Sequence, residues 1–161
     1  MQDRIAKAEV LLDALSQVLE VPSKFPNVAG EFPAGTRALD LPDEAVPSQF
    51  LDVFSRPQRN SACECERVDA PALGQTLALV SSNDIQTKLT APGGYVDKLA
   101  AIERPHADNV KDIFGRVFAR SPRINEIATA VKFLDSQADR KEAYRSLVWA
   151  LLASNEFLFN H

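Results

Sequence analysis

Asp108-Asn109-Val110-Lys111-Asp112-Ile113-Phe114-Gly115-Arg116-Val117-Phe118 is the stretch that decides the fold class. Val110, Ile113, Phe114, Val117 and Phe118 recur at the spacing of a helix turn, so a helix gathers them on one side and leaves the charged residues on the other. Asp108, an acid just ahead of the first apolar position, is expected to cap that helix.

The same logic extends in both directions. Downstream, Ser121-Pro122 predicts a cap followed by proline at the first helical position, with Ile124, Ile127, Val131 and Leu134 turned inward. Tyr144, Leu147, Val148, Leu151 and Leu152 define a last long helix. Upstream, Pro92-Gly93-Gly94 and Pro105 bound a short helix from Tyr95 to Ile102. Asn83 caps a turn that faces Ile85 and Leu89 inward, and Pro71 opens a helix carrying Leu73, Leu77 and Val80. At the start, Ile5, Ala8, Leu12, Leu15 and Leu19 form one stripe, which predicts a helix from Asp3 to Glu20 stopped by Pro22. No capping residue precedes that helix, so its stripe must bury against later helices or against an upstream part of a larger domain.

Two segments interrupt the helical pattern. Residues 21–47 hold five of the ten prolines together with Phe25, Phe32, Leu39 and Leu41, too apolar a set for a disordered linker. They predict an ordered loop wrapped over the helices, anchored by Phe25, Phe32 and Leu39. At most one short β-hairpin or strand is expected, at Thr36 to Leu41. Ser48 then caps a short helix with Phe50, Leu51 and Phe54. Residues 55–70 form an irregular loop holding both cysteines. The expected architecture is a mainly α, irregular helical array, one domain over residues 1–161.

Composition sets outer limits. The chain has 161 residues, 45% hydrophobic and 25% charged, enough to fold around a core. A net charge of −4 and scattered basic residues exclude the clustered Lys/Arg footprint of a nucleic-acid binder. No apolar run approaches the roughly 20 residues of a transmembrane helix. Met1 to Lys7 has no apolar core of a signal peptide, which taken literally predicts a cytoplasmic chain.

Chemistry-bearing residues are few. Cys63-Glu64-Cys65-Glu66 admits three states: free thiols, a Cys63–Cys65 disulfide, or part of a soft-metal or redox site. A closed zinc site needs four ligands, and the chain offers only His106 and His161 as nitrogen donors, with His161 the one to add to Cys63 and Cys65. Neither histidine has finger-like spacing from the cysteines. The two glutamates raise the thiol pKa and oppose a reactive thiolate. A His-activated Ser or Cys nucleophile would have to use His106, in an inter-helix loop, or His161, at the last position. Asp40, Asp43 and Glu44 are expected to be a solvated acidic loop rather than a cation site. Phe157, Leu158 and Phe159 are expected to pack back on the core rather than form an exposed patch. Cys-x-x-Cys-His is absent, so no covalently attached haem is expected and no cofactor is assigned to the chain.

Several segments taken together carry a resemblance. They are Leu11-Leu12-Asp13-Ala14-Leu15-Ser16-Gln17-Val18, Gly35-Thr36-Arg37-Ala38-Leu39-Asp40-Leu41-Pro42, Phe50-Leu51-Asp52-Val53-Phe54-Ser55-Arg56-Pro57, Cys63-Glu64-Cys65-Glu66-Arg67, and the closing Leu151 to His161. In this order they resemble the planctomycete cytochrome-c-associated proteins, specifically the last part of their C-terminal domain of unknown function. The resemblance implies a parent protein that is exported, with further domains upstream, and it brings no established catalytic residues. Leu19-Glu20 stands where a Thr-Gly step is commoner in that family, and Ala153 where Asn is commoner.

Two functions follow as expectations. One is a non-catalytic helical interaction or structural domain of an exported or cell-envelope protein, docking upstream domains of the same parent or a partner protein. The other is a portion of an enzyme or electron-transfer assembly whose active site is completed by upstream domains.

Overall fold

The computed structural model of the chain describes residues 4–5, 8–27, 30–41, 46, 48, 51 and 83–160, with the backbone alone at 4, 5, 8, 159 and 160. In chain order these residues give strand β1 (Arg4–Ile5), helix α1 (Ala8–Leu19), strands β2 (Pro26–Asn27) and β3 (Gly30–Glu31) and a 3-10 turn, η1 (Ala38–Asp40). Helices α2 (Asn83–Thr90), α3 (Tyr95–Ala101), α4 (His106–Phe118), α5 (Ile124–Ser136), α6 (Arg140–Leu152) and α7 (Asn155–Leu158) follow, then strand β4 (Phe159–Asn160). The fold is mainly helical, as its apolar periodicity predicts.

Helix α4 buries Val110, Ile113, Phe114 and Val117, four of the five residues on its predicted face. It begins at His106, two residues before the expected cap. The Pro105 carbonyl receives the Asp108 and Asn109 N–H groups at 3.1 and 3.4 Å, which places Asp108 inside the first turn. In α6, Tyr144, Val148 and Leu152 are buried, and Asp139 caps the start by accepting from the Lys141 and Glu142 amides at 2.9 and 3.1 Å. The core is one cluster: α3 packs on α6, α6 on α5, α5 on α4, and α1 on α2, α3 and η1. Each fully buried Leu, Ile or Val in it contributes about 1.5–3 kcal/mol of apolar burial.

Helix α1 is shorter than predicted. It starts at Ala8, because Arg4 and Ile5 are extended and pair antiparallel with Asn160 and Phe159 of β4. Its stripe is buried by Leu11, Leu12, Leu15, Val18 and Leu19, so later helices cover it. The last turn of α1 contains no basic residue of its own. Two cations from elsewhere serve its carbonyl end, where the helix dipole is negative. Arg116 of α4 donates to the Gln17 and Val18 carbonyls at 3.5 and 3.4 Å, and Lys88 of α2 donates to the Val21 carbonyl at 2.7 Å. Glu20 takes the left-handed conformation (φ 55°) that ends the helix, and its carboxylate pairs with Arg116 at 2.7 Å and with Lys98. Gly94 lies against this end: a Cβ there would stand 3.1 Å from Val21 Cγ2 and 3.1 Å from the Ala91 carbonyl, leaving little room for a side chain.

The described part of the Pro-rich loop is ordered over the helices, but its anchoring differs from expectation. Phe25 is buried and Phe32 partly so, whereas Leu39 is 48% exposed. Ala38 is the inward residue, because the Asp13 carboxylate of α1 accepts the Ala38 and Leu39 amides at 2.7 and 3.3 Å. Thr36 to Leu41 therefore contains the 3-10 turn rather than a strand. The hairpin of the loop is β2–β3, with Pro26 opposite Glu31. Leu51 is buried and its N–H donates to Ser48 Oγ at 3.4 Å, the contact expected of a capping serine. The expected helix at 71–80 lies outside the described residues.

Candidate functional site

Helix α5 presents the largest departure from the inward faces expected of the sequence. Its core side is made by Ala130 and Leu134, while Ile124 is 89% exposed. The helix starts after Pro122, at Ile124, with the Arg123 amide donating to the Glu126 carboxylate at 2.6 Å. Ile124, Ile127, Ala128 and Val131 stand at i, i+3, i+4 and i+7 and line an open groove of about 580 Å³ with Ala107, Lys132 and Asp135. The apolar arc of α5 is wider than the strip that α4 and α6 cover. One edge of the arc is in the core and the other faces outward.

Among the described residues, His106 is brought beside a tyrosine. Its Nδ1 lies 2.6 Å from Tyr144 Oη, which also accepts from Asn109 Nδ2 at 2.5 Å. Tyr144 and Asn109 are fully buried, so the hydroxyl is closed to any substrate. Asp135 Oδ1 is 3.7 Å from His106 Nε2, beyond hydrogen-bond reach. This cluster ties α4 to α6.

A second polar cluster was not anticipated. Lys88 sits within the apolar stripe of α2, next to Leu89 and one turn from Ile85, and is only 6% exposed. Its Nζ donates to Ser16 Oγ at 3.2 Å as well as to the Val21 carbonyl. Ser16 Oγ donates to the Leu12 carbonyl at 2.8 Å and stands 3.0 Å from Ser23 Oγ. Burial, opposed in part by the charge of Asp84, pushes the Lys88 ammonium down to about 8. A lysine inside an apolar stripe was the available sequence signal.

The remaining candidates divide by position. Cys63, Cys65 and His161, the residues considered for a metal, and the possible Cys63–Cys65 disulfide lie outside the described residues. Among the described residues no group of three or more His, Cys, Asp or Glu gathers at metal-binding distance. Asp40 is exposed, and Asp43 and Glu44 lie outside the described set. Leu158 is buried and Phe157 partly buried, so this part of the tail packs on the core. No described helix is long and apolar enough to cross a membrane. Comparison with protein-family models, curated proteins and solved structures gave no match.

Proposed function

We propose that this chain is a non-catalytic helical interaction domain of a larger exported or cell-envelope protein, and that it docks an upstream domain of that protein through the outer face of α5. The observation that carries this reading is the row Ile124, Ile127, Ala128 and Val131, four apolar residues at helix-in-groove spacing on a helix whose other edge is already in the core. An isoleucine left 89% exposed has no role in the core. The occupant is a helix with an apolar stripe of its own, with Lys132 and Asp135 at the rim to fix its register through charge. The resemblance to planctomycete cytochrome-c-associated proteins supports an upstream partner, because in that family this segment closes a domain that follows others.

The test is to express the in-frame sequence upstream of residue 1 as a separate polypeptide and titrate it with this chain by calorimetry. Binding that weakens at least tenfold in Ile124→Asp and Val131→Asp, with circular dichroism unchanged, supports the reading. Absence of an upstream frame, or binding indifferent to both substitutions, removes it.

A further inference from the structure

The polar cluster beside the α5 groove has a fixed order of donors. Arg104 Nε donates to Asn109 Oδ1, and a guanidinium can only donate, so the Asn109 carboxamide is turned one way. Its Nδ2 therefore donates to Tyr144 Oη, and the single proton of that hydroxyl goes to His106 Nδ1 at 2.6 Å. A neutral His106 then carries its own proton on Nε2, the nitrogen that faces Asp135 Oδ1 at 3.7 Å. Asp135 lines the groove, and so does Ala107, the residue after His106. We infer that His106 is a pH switch for docking on α5: acid charges the imidazole, which draws Asp135 off the groove rim and weakens the hold on the docked helix. This inference rests on the docking reading above, in which the charge of Asp135 meets the partner.

Imidazoles change charge between about pH 5 and 8. A proton added at Nδ1 turns that atom from acceptor to donor. Tyr144 Oη must then accept from both Asn109 and His106, and its own proton loses its partner in a fully buried position. The charged groups around the ring leave one answer to the new charge. From α6, Arg140 lies 5.3 Å from the centre of the Tyr144 ring, and Arg104, just ahead of α4, is engaged with Asn109 and Asp112. On α4 itself, Asp108 is held by Lys111 at 3.0 Å, and the first turn of a helix disfavours a cation. From α5 come Lys132, one turn before Asp135, and Asp135, whose side chain is 61% exposed. Asp135 is thus the carboxylate that turns to the imidazolium, and in turning it leaves a cation of the partner unpaired. The tie between α4 and α6 loosens in the same step.

The test is calorimetric titration of this chain with the upstream polypeptide at about pH 7.5 and about pH 5.5, within the imidazole range. Wild type is compared with His106→Gln, which keeps a neutral donor and acceptor but does not titrate. Titration of the upstream polypeptide itself cancels in this comparison. Wild type is expected to lose roughly three- to fivefold more affinity on acidification than His106→Gln, the scale of one surface ion pair. Asp135→Asn is expected to bind more weakly at the higher pH and to show only the small pH dependence of His106→Gln. Nitrogen-15 shifts of the isolated chain at the higher pH are expected to place the His106 proton on Nε2. Equal pH dependence in wild type and His106→Gln, or a proton on Nδ1, overturns the switch and leaves the docking reading standing. No binding by wild type at the higher pH removes the docking reading and the switch with it. If His106→Gln does not fold, Asp135→Asn, a change at an exposed side chain, decides.

Discussion

The Asp13 carboxylate accepts the backbone N–H of Ala38 at 2.7 Å, joining the middle of α1 to a turn 25 residues further along the chain. A second amide, that of Leu39, and the Arg37 guanidinium at 3.4 Å share the same carboxylate. Side chains that accept from backbone amides while charged contribute about 1.5–3 kcal/mol. Asp13→Ala is expected to cost that much in urea unfolding and to open residues 30–41 to limited proteolysis. Asp13→Asn, which keeps one acceptor, is expected to fall between the two. Cleavage unchanged in Asp13→Ala would show that apolar packing of Phe25 alone holds the loop.

Lys88 makes stability depend on alkaline pH. Its pKa falls to about 8 in the folded chain from an ordinary value of 10.5, so the unfolded state binds more protons between these values. Folding stability is therefore expected to rise from pH 8 toward pH 10.5, where the penalty for burying the charge disappears. The difference between wild type and Lys88→Met isolates this slope from other groups, and it should amount to roughly 1–3 kcal/mol across the window. Parallel stability curves for the two proteins would place the lysine charge in solvent.

Arg120 makes the opposite, acidic prediction. Its guanidinium forks onto Glu126 with two hydrogen bonds of 2.9 and 2.8 Å and reaches Glu156 of α7 at 2.8 Å. Arg120, helped by the Arg123 amide, holds the Glu126 carboxyl down to about 2, and it lowers Glu156 as well. Depressed carboxylates stabilise the fold above their unfolded pKa near 4.5 and lose that contribution as pH falls toward 2. Arg120→Met is expected to flatten the loss of thermal stability between pH 4.5 and 2, and to weaken the docking of α7 at neutral pH. An unchanged acid profile would mean the network is screened by solvent.

Two isoleucines calibrate the difference between core and surface. Ile113 is fully buried and Ile124 is 89% exposed. Ile113→Ala is expected to cost about 2–5 kcal/mol through lost burial and a cavity. Ile124→Ala is expected to stay within about 0.5 kcal/mol. A large cost at Ile124 measured on the isolated chain would mean that a second copy covers it in solution.

How much of this was legible in the sequence depends on what holds each element. The faces of α4 and α6 follow a strict helical period, because each buries one narrow stripe, and Val110, Ile113, Tyr144 and Val148 could be placed from spacing alone. In α5 the apolar arc is too wide for spacing to say which edge the neighbours cover, so Ile124 was expected inward and is not. Ala38 was missed in favour of Leu39 because the anchor works through a backbone amide and a distant carboxylate, which no periodicity records. The start of α1 was misplaced for a similar reason: β1 exists through pairing with the other end of the chain. Lys88 left a trace as a charge within an apolar stripe, but its meeting with Ser16 and Ser23 is purely tertiary.

Arg4 stands opposite Asn160 and Ile5 opposite Phe159 in the antiparallel pair β1–β4. Residues 4–5 and 159–160 thus lie side by side, and this short pairing acts as a clasp. Tension applied between residues 4 and 160 would load that clasp in the unzipping direction before reaching the helices. The same adjacency makes the body suited to circular permutation or to insertion into a loop of a host protein, since a short splice suffices to bridge the gap.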